Sequence, residues 1–259
     1  MRRILRDIFL RTVGSFRSPK PGIHLLNSHY VSPKLPSSND STVFRNFLNI
    51  LTSKCQLIDF QEATRRILHN EIPLNGTYVA LSFDDGFKEC YSTIAPILDE
   101  YGCKAAFFIN ANYVSSNANY QNDFNQRVNT FSKLPMNWDE ISDLHERGHI
   151  IGGHTLDHLD LGVLNDSQLH LQLSQNKKIL EERLRYSCDY FAWPYGRFEN
   201  FGLRALGVAS TYYKYIFSAT NYRQYFSING RVLNRRHIEP FWPKSHIHYF
   251  LSFTKSKGY

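Results

Sequence analysis

Short β-rich runs that alternate with stretches of helical spacing constrain this chain more than any other feature of its sequence. Residues 22–30 form a first strand that ends on polar groups, and 56–60 form a short strand candidate. Residues 77–83 stop at Asp84-Asp85-Gly86, and 104–109 are apolar after the first residue, as a buried parallel strand is. Residues 149–154, 190–193 and 213–219 complete the set. Between them lie helical patterns. Asp40 or Ser41 caps one that buries Val43, Phe44, Phe47, Leu48 and Leu51. Another covers 62–70, and a third ends at Glu100 with Gly102 just beyond it. Asn137 with Glu140 three residues on is a capping-box pattern opening a helix that stops at Gly148, and 167–184 form a long helix. Strands alternating with helices along one chain imply a parallel sheet, open or closed. Two segments break the rhythm. Residues 112–135 are polar, Asn-rich and aperiodic, which is the pattern of a long loop, and an irregular basic part follows 219.

At 259 residues the chain is long enough for one large domain, placed at 22–259 behind an N-terminal helix and linker at 1–21. Ser18-Pro-Lys-Pro-Gly22 is the breaker cluster between them. Hydrophobic residues at 42% exclude a disordered or collagenous class. The net charge of +7 suits nucleic acid, an anionic membrane face or an acidic polymer, but no zinc finger or RNP box is present, so no nucleic-acid partner is expected. Ile4, Leu5, Ile8 and Phe9 share one helical face, with Arg2, Arg3, Arg6 and Arg11 largely on the other. Such a helix over 1–13 either lies on a membrane surface as a peripheral contact or packs on the domain; both readings stand. Arg6, Asp7 and Arg11 interrupt any cleavable signal core, and no run of about 18 apolar residues offers a transmembrane span. The cytoplasm or its membrane face is the expected location. Cys55, Cys90, Cys103 and Cys188 lack CxxC spacing and are expected as free thiols.

Three segments end strands on groups suited to metal or acid–base work, and in a β/α barrel the C-terminal strand ends are where such groups converge. In Ser82-Phe-Asp-Asp-Gly86, two adjacent acids prefer water or a cation, and Gly86 permits a turn that brings both into one pocket; alone, the tripeptide is also a common surface turn. In His154-Thr-Leu-Asp-His158, two imidazoles four residues apart can grip one metal. In Phe191-Ala-Trp-Pro-Tyr-Gly196, aromatic residues around Pro194 make a stiff wall, or simply a buried strand and turn.

In this order, over about 22–240, the segments resemble the polysaccharide deacetylases, carbohydrate esterase family 4 with its NodB homology domain. There the motifs read T/S-F-D-D-G, H-S/T-x-x-H and R-x-P-Y/F-G, and the first two are matched fully here. The resemblance implies a distorted (β/α) barrel of fewer than eight strands and a hydrolase removing N-acetyl groups from an amino-sugar polysaccharide or glycan precursor. It implies Asp85, His154 and His158 as ligands of a divalent metal, usually zinc, and Asp84 as general base. Trp193, Pro194 and Tyr195 would line the substrate path, with a backbone N–H near Tyr195 holding the oxyanion.

The departures from the pattern generate expectations of their own. The third-motif arginine falls at Ala192, so Arg235 or Arg236 is expected to supply its charge, with Arg236 assigned to the substrate pocket. The form Phe-Ala-Trp-Pro-Tyr-Gly looks like the branch that acts on surface polysaccharides such as poly-N-acetylglucosamine. No clean L-x-H motif exists, which leaves His237 as the candidate acid and His29, near the first strand's end, next in line. No D-x-x-D-W motif is found. Two other readings remain beside the deacetylase: a deformylase or other non-peptide C–N hydrolase acting on a lipid-linked sugar or small amide, and a catalytically silent glycan-binding domain.

Overall fold

Residue parity along the strands organises the molecule. The computed structural model describes residues 2–33 and 37–258, leaving out the side chains of residues 2 and 3. In chain order its strands are β1 (Gly22–Ser28), β2 (Gln56–Leu57), β3 (Thr77–Phe83), β4 (Ala106–Ile109), β5 (Ile150–Gly153), β6 (Tyr190–Ala192), β7 (Tyr215–Ser218), β8 (Phe226–Ser227), β9 (Val232–Asn234) and β10 (Arg236–His237). β1, β3, β4, β5, β6, β7 and β9 lie side by side in that order, all parallel. β10 follows β9 after the single residue Arg235 and pairs in parallel with β1. The run 232–237 thus rests on β7 with its first half and on β1 with its second, bridging the last stave to the first. Seven staves result, in keeping with a barrel of fewer than eight; β2 beside β3 and the antiparallel β8 beside β9 are short additions.

Side chains alternate across each strand. One parity (Ile23, Leu25, Ala80, Ala106, Phe108, Ala192, Phe217, Leu233) fills the barrel with an apolar cluster that includes Phe60. The N–H of Phe60 donates to the carbonyl of Lys104, just ahead of β4, so its ring enters from the N-terminal end of the strands. The other parity, including Leu26, Leu81, Phe107, Ile109, Ile151 and Ile216, packs beneath the helices. Each large side chain so buried contributes about 1.5–3 kcal/mol relative to exposure. Gly152 has a local reason: a Cβ there would lie 2.6 Å from Cδ1 of Phe108, which takes up the space inside.

The helices are α1 (Arg2–Ser15), α2 (Asp40–Thr52), α3 (Phe60–Leu68), α4 (Ala95–Glu100), α5 (Ala118–Arg127), α6 (Trp138–Glu146), α7 (Asp166–Leu184), α8 (Gly202–Tyr212) and α9 (Lys244–Leu251). The capping box of Asn137 and Glu140 forms, and Gly102 takes φ +62° past the end of α4. The segment 112–135 is not the expected loop. Asn117 caps α5 by accepting from the N–H of Tyr120, and Phe124 stacks on Tyr113 with ring centroids 3.8 Å apart. Its two fully buried aromatics, Tyr113 and Phe124, are too few and too far apart to give a periodic pattern. The part after 219 also carries three strands and α9, and α8 had no sequence assignment. All four cysteines are buried free thiols.

The N-terminal helix packs, but through an unexpected face. Leu10 and Gly14 lie against α9, where a Cβ on Gly14 would come 2.0 Å from the Ser245 carbonyl oxygen. Of the face marked as apolar in the sequence, Ile4, Leu5 and Ile8 point to solvent, while the half-exposed Phe9 meets the Tyr249 ring edge-on at 5.7 Å. Met1 and the side chains of Arg2 and Arg3 lie outside the described residues. Among the described residues no helix is long and apolar enough to cross a membrane.

Candidate metal centre and active site

The parity that fills the barrel with apolar groups continues past the strand ends onto polar ones. Beyond Ala80 and Ser82 on β3 comes Asp84; beyond Phe108 on β4 comes Asn110; beyond Gly152 on β5 comes His154. Leu25 and Asn27 on β1 lead to His29, and Leu233 leads to Arg235. Strand alternation alone therefore gathers these groups at one end of the lumen. Asp85 and His158 have the wrong position for this and are brought in by turns. Asp85 (φ +74°), Thr155 (φ +69°), His158 (φ +55°) and Tyr195 (φ +64°) all adopt left-handed backbone, a conformation costing of order 1–3 kcal/mol per residue and persisting only where surroundings enforce it. The enforcement is visible. The Asn110 amide donates to the carbonyls of His154 and Thr155, and the hydroxyl of Thr155 accepts from the His158 N–H at 3.0 Å. Between the histidines, the Asp157 carboxylate accepts from Asn112 (2.8 Å), Tyr120 (2.5 Å) and Gln172 (2.7 Å), tying the turn to α5 and α7.

Asp85, His154 and His158 converge. Nε2 of His154 lies 3.4 Å and Nε2 of His158 3.3 Å from Oδ1 of Asp85, all three groups buried. Nδ1 of His154 is 2.6 Å from the Ala192 carbonyl oxygen, which can only accept, so Nδ1 carries a proton and Nε2 is the nitrogen turned toward Asp85. Burial pushes His158 down to about 4 against the pull of Asp85, so this ring is uncharged at neutral pH. Its ring is held edge-on by Phe124 (5.9 Å) and Tyr195 (4.8 Å). Oδ1 of Asp85 meanwhile finds no hydrogen-bond donor. A buried carboxylate oxygen facing two imidazoles is costly unless a cation lies among them. One carboxylate and two imidazoles are a donor set that suits zinc and leaves positions open. The residues fit such an ion.

Asp84 next to them is answered by Arg235. Nη1 donates to Oδ1 at 2.7 Å and Nη2 to Oδ2 at 2.9 Å, while the guanidinium also donates to the Ser82 hydroxyl (2.9 Å) and the Ser218 carbonyl (3.2 Å). Arg235 is fully buried and lies over the Phe108 ring. Burial alone would push the Asp84 carboxyl up, but Arg235 outweighs it and holds Asp84 at about 2. The charge absent at Ala192 thus arrives from the seam between β9 and β10. Arg236, assigned to the pocket in the sequence reading, is elsewhere. It has the opposite parity, and its guanidinium lies over Phe250 (3.4 Å) and Tyr222 (4.2 Å) in the outer layer.

A cavity of about 170 Å³ opens above the ligand triad, lined by His29, Tyr30, Asp85, Val128, Thr130, His158, Tyr195, His237 and Glu239. Glu239 is its buried anchor. Its Oε1 meets Nδ1 of His29 at 2.6 Å and Nε2 of His237 at 2.7 Å. Burial drives His29 down, but Glu239, helped by Asp85 and Asp84, raises it to about 10, so it is a cation at neutral pH. The same pairing keeps Glu239 down at about 2 in spite of burial.

Of the third motif only Tyr195 reaches the cavity. Trp193 is 1% exposed and stacks on Phe201 with centroids 4.3 Å apart, its indole N–H donating to the Arg197 carbonyl. Pro194 is buried as well. Both are wall rather than lining, because β6 ends at Ala192 and the chain turns outward only at Tyr195. Sequence reasoning missed Glu239, Asn110 and Asp157. Glu239 lay two residues beyond the histidine already singled out, and that spacing on one strand face was the signal available.

Comparison with known proteins comes to the same place. Residues 71–209 match the family described as Polysaccharide deacetylase. Over 111 residues, 43% of the chain, it is 32% identical to a protein named Chitin deacetylase from Arthroderma benhamiae. Over 125 residues, 48% of the chain, it is 29% identical to one named Peptidoglycan-N-acetylglucosamine deacetylase from Bacillus cereus. These matches span only 25% and 38% of those proteins' lengths. The fold is similar to that of the Streptococcus pyogenes deacetylase PplD, solved in complex with acetate, with a TM-score of 0.67 at 19% identity, covering 90% of this chain and 99% of that one. The family match ends before Arg235, His237 and Glu239.

Proposed function

The chain belongs to the polysaccharide deacetylase family, and we propose that it is a metal-dependent hydrolase removing N-acetyl groups from an amino-sugar-containing glycan. The observation that carries this reading is the orphaned Oδ1 of Asp85, buried between two imidazoles beside an arginine-paired aspartate. The relatives named for chitin and for peptidoglycan N-acetylglucosamine support the amino-sugar class.

Asp85, His154 and His158 would hold the ion. A divalent cation there supplies Lewis acidity toward water and the amide carbonyl. Asp84 accepts the proton of the attacking water. A carboxylate has about four lone-pair sites, so the two bonds from Arg235 fix its orientation and leave acceptor capacity for that proton. The N–H of Tyr195, on its left-handed turn, is the proposed donor to the developing oxyanion. We assign the proton for the departing nitrogen to His29 rather than His237, because His29 carries charge at neutral pH and senses Asp84 and Asp85. Glu239 orients both rings. Water adds to the carbonyl carbon, the C–N bond breaks, and acetate and a free amine result.

Acetate release from a panel of N-acetylated glycans, with and without chelator, tests the reading. Release that chelator abolishes and a divalent metal restores is expected. Release from none of the panel, or release unchanged by chelator, would overturn it.

A further inference from the structure

The outward face of α1 has no part in the proposed reaction. With Leu10 and Gly14 turned onto α9, and Asp7 facing His246 (3.3 Å), helical spacing sends Ile4, Leu5 and Ile8 to solvent at 65%, 59% and 55% exposure. Phe16, just past the helix end, is 87% exposed. A contiguous apolar stripe of this kind calls for a partner, whereas single exposed apolar residues do not. Charge says which partner. Between residues 2 and 20 the chain has six basic residues and one acidic, so most of the net charge of +7 resides in this one segment. Arg6, Arg11 and Arg17 are exposed there.

We propose that α1 docks the protein on an anionic lipid surface, its apolar stripe seated at the headgroup–acyl boundary and its arginines among the phosphates. A second copy of the chain is the poorer occupant, since apposing two such faces would join two strongly basic segments with little acid to answer them. α1 also lies near the cavity. Trp242 shares a crevice with Arg6, Asp7 and Leu10 and meets the His237 ring edge-on at 5.2 Å.

Co-sedimentation of the full chain with phosphatidylglycerol–phosphatidylcholine vesicles and with pure phosphatidylcholine vesicles tests this. Wild type should pellet with the anionic vesicles and be released by high salt. The triple variant Ile4→Ser/Leu5→Ser/Ile8→Ser should partition at least about tenfold less. Arg11→Gln/Arg17→Gln, which keeps the stripe, should lose binding to anionic vesicles selectively. Circular dichroism shows that each variant is folded. Wild type binding neither vesicle, or both variants binding like wild type, would overturn the proposal. So would a wild-type dimer, seen by sedimentation velocity, that the triple variant dissociates without any vesicle binding.

Discussion

Replacing Arg235 by Met removes the guanidinium and keeps much of the stem's volume, so it isolates the charge. The pair it breaks is dry, with side chains 0% and 4% exposed and two bonds of 2.7 and 2.9 Å. Asp84 sits at about 2 instead of 3.8, and one pKa unit is about 1.4 kcal/mol, so near pH 7 the ionised carboxylate contributes about 2 kcal/mol. Because the folded value is depressed, that stabilisation is present above the unfolded value and is lost as pH falls toward about 2. Deleting Arg235 costs more than this, about 3–5 kcal/mol, since it strands a buried carboxylate. Urea unfolding of metal-free protein near pH 7 measures the loss. Asp84→Asn first removes the anion. In that background Arg235→Met should cost little or even stabilise, giving a double-mutant coupling of at least about 2 kcal/mol. The single variant should also gain stability relative to wild type as pH is lowered to about 5, as its unpaired carboxyl takes up a proton. Costs that add to within about 0.5 kcal/mol would refute the ion-pair account.

Glu239→Gln removes the anion that raises His29 to about 10. Since that folded value is raised, the stabilisation it gives is full below about 6.5 and disappears as pH rises through about 10, so the stability gap between wild type and variant should close over that window. NMR titration of His29 should move down by more than about one unit; an unmoved titration would show that Glu239 does not charge it. The twin acids should separate cleanly. Zinc-loaded Asp84→Asn should keep its metal by elemental analysis while losing about 10²–10⁴ in turnover, whereas Asp85→Asn should lose metal itself. Equal metal loss in both would remove the assignment of Asp84 as base.

Much of the site could be read from the chain because its chemistry sits where strands end. Asp84, Asp85 and His154 follow runs whose apolar character announces a buried strand, and the sequence spacing of His158 from His154 is short. Arg235 was reachable only as one of two neighbours, because deciding between them needs the parity of a strand too short to show a pattern. β9 and β10 together hold five paired residues. Glu239 was legible only through its two-residue spacing from His237, because its other partner, His29, lies 210 residues away. Trp193 misled because an aromatic beside a site motif looks like a stacking platform, while Phe201, its true partner, belongs to the approach to a helix that was not foreseen. α5 escaped notice since its polar turns carry a single fully buried ring, and α1 was read as a helix whose inner face was left open. There the small Gly14 decides the packing by letting the backbone of α9 approach, something no scale of hydrophobicity weighs.

Arg235 also stands at the seam where the last stave leaves β7 for β1, and its bond to Asp84 joins residues 151 positions apart. The proposed metal ligands all lie between residues 85 and 158. A chain ending before residue 235 would keep these three residues and lack the partner of Asp84. On the proposed mechanism such a fragment is inert: Asp84, buried without a counter-charge, takes up a proton and is no base. Competence arrives in the same event that completes the barrel, and any breathing that opens the seam withdraws it. On this proposal the fold is checked before any bond is broken.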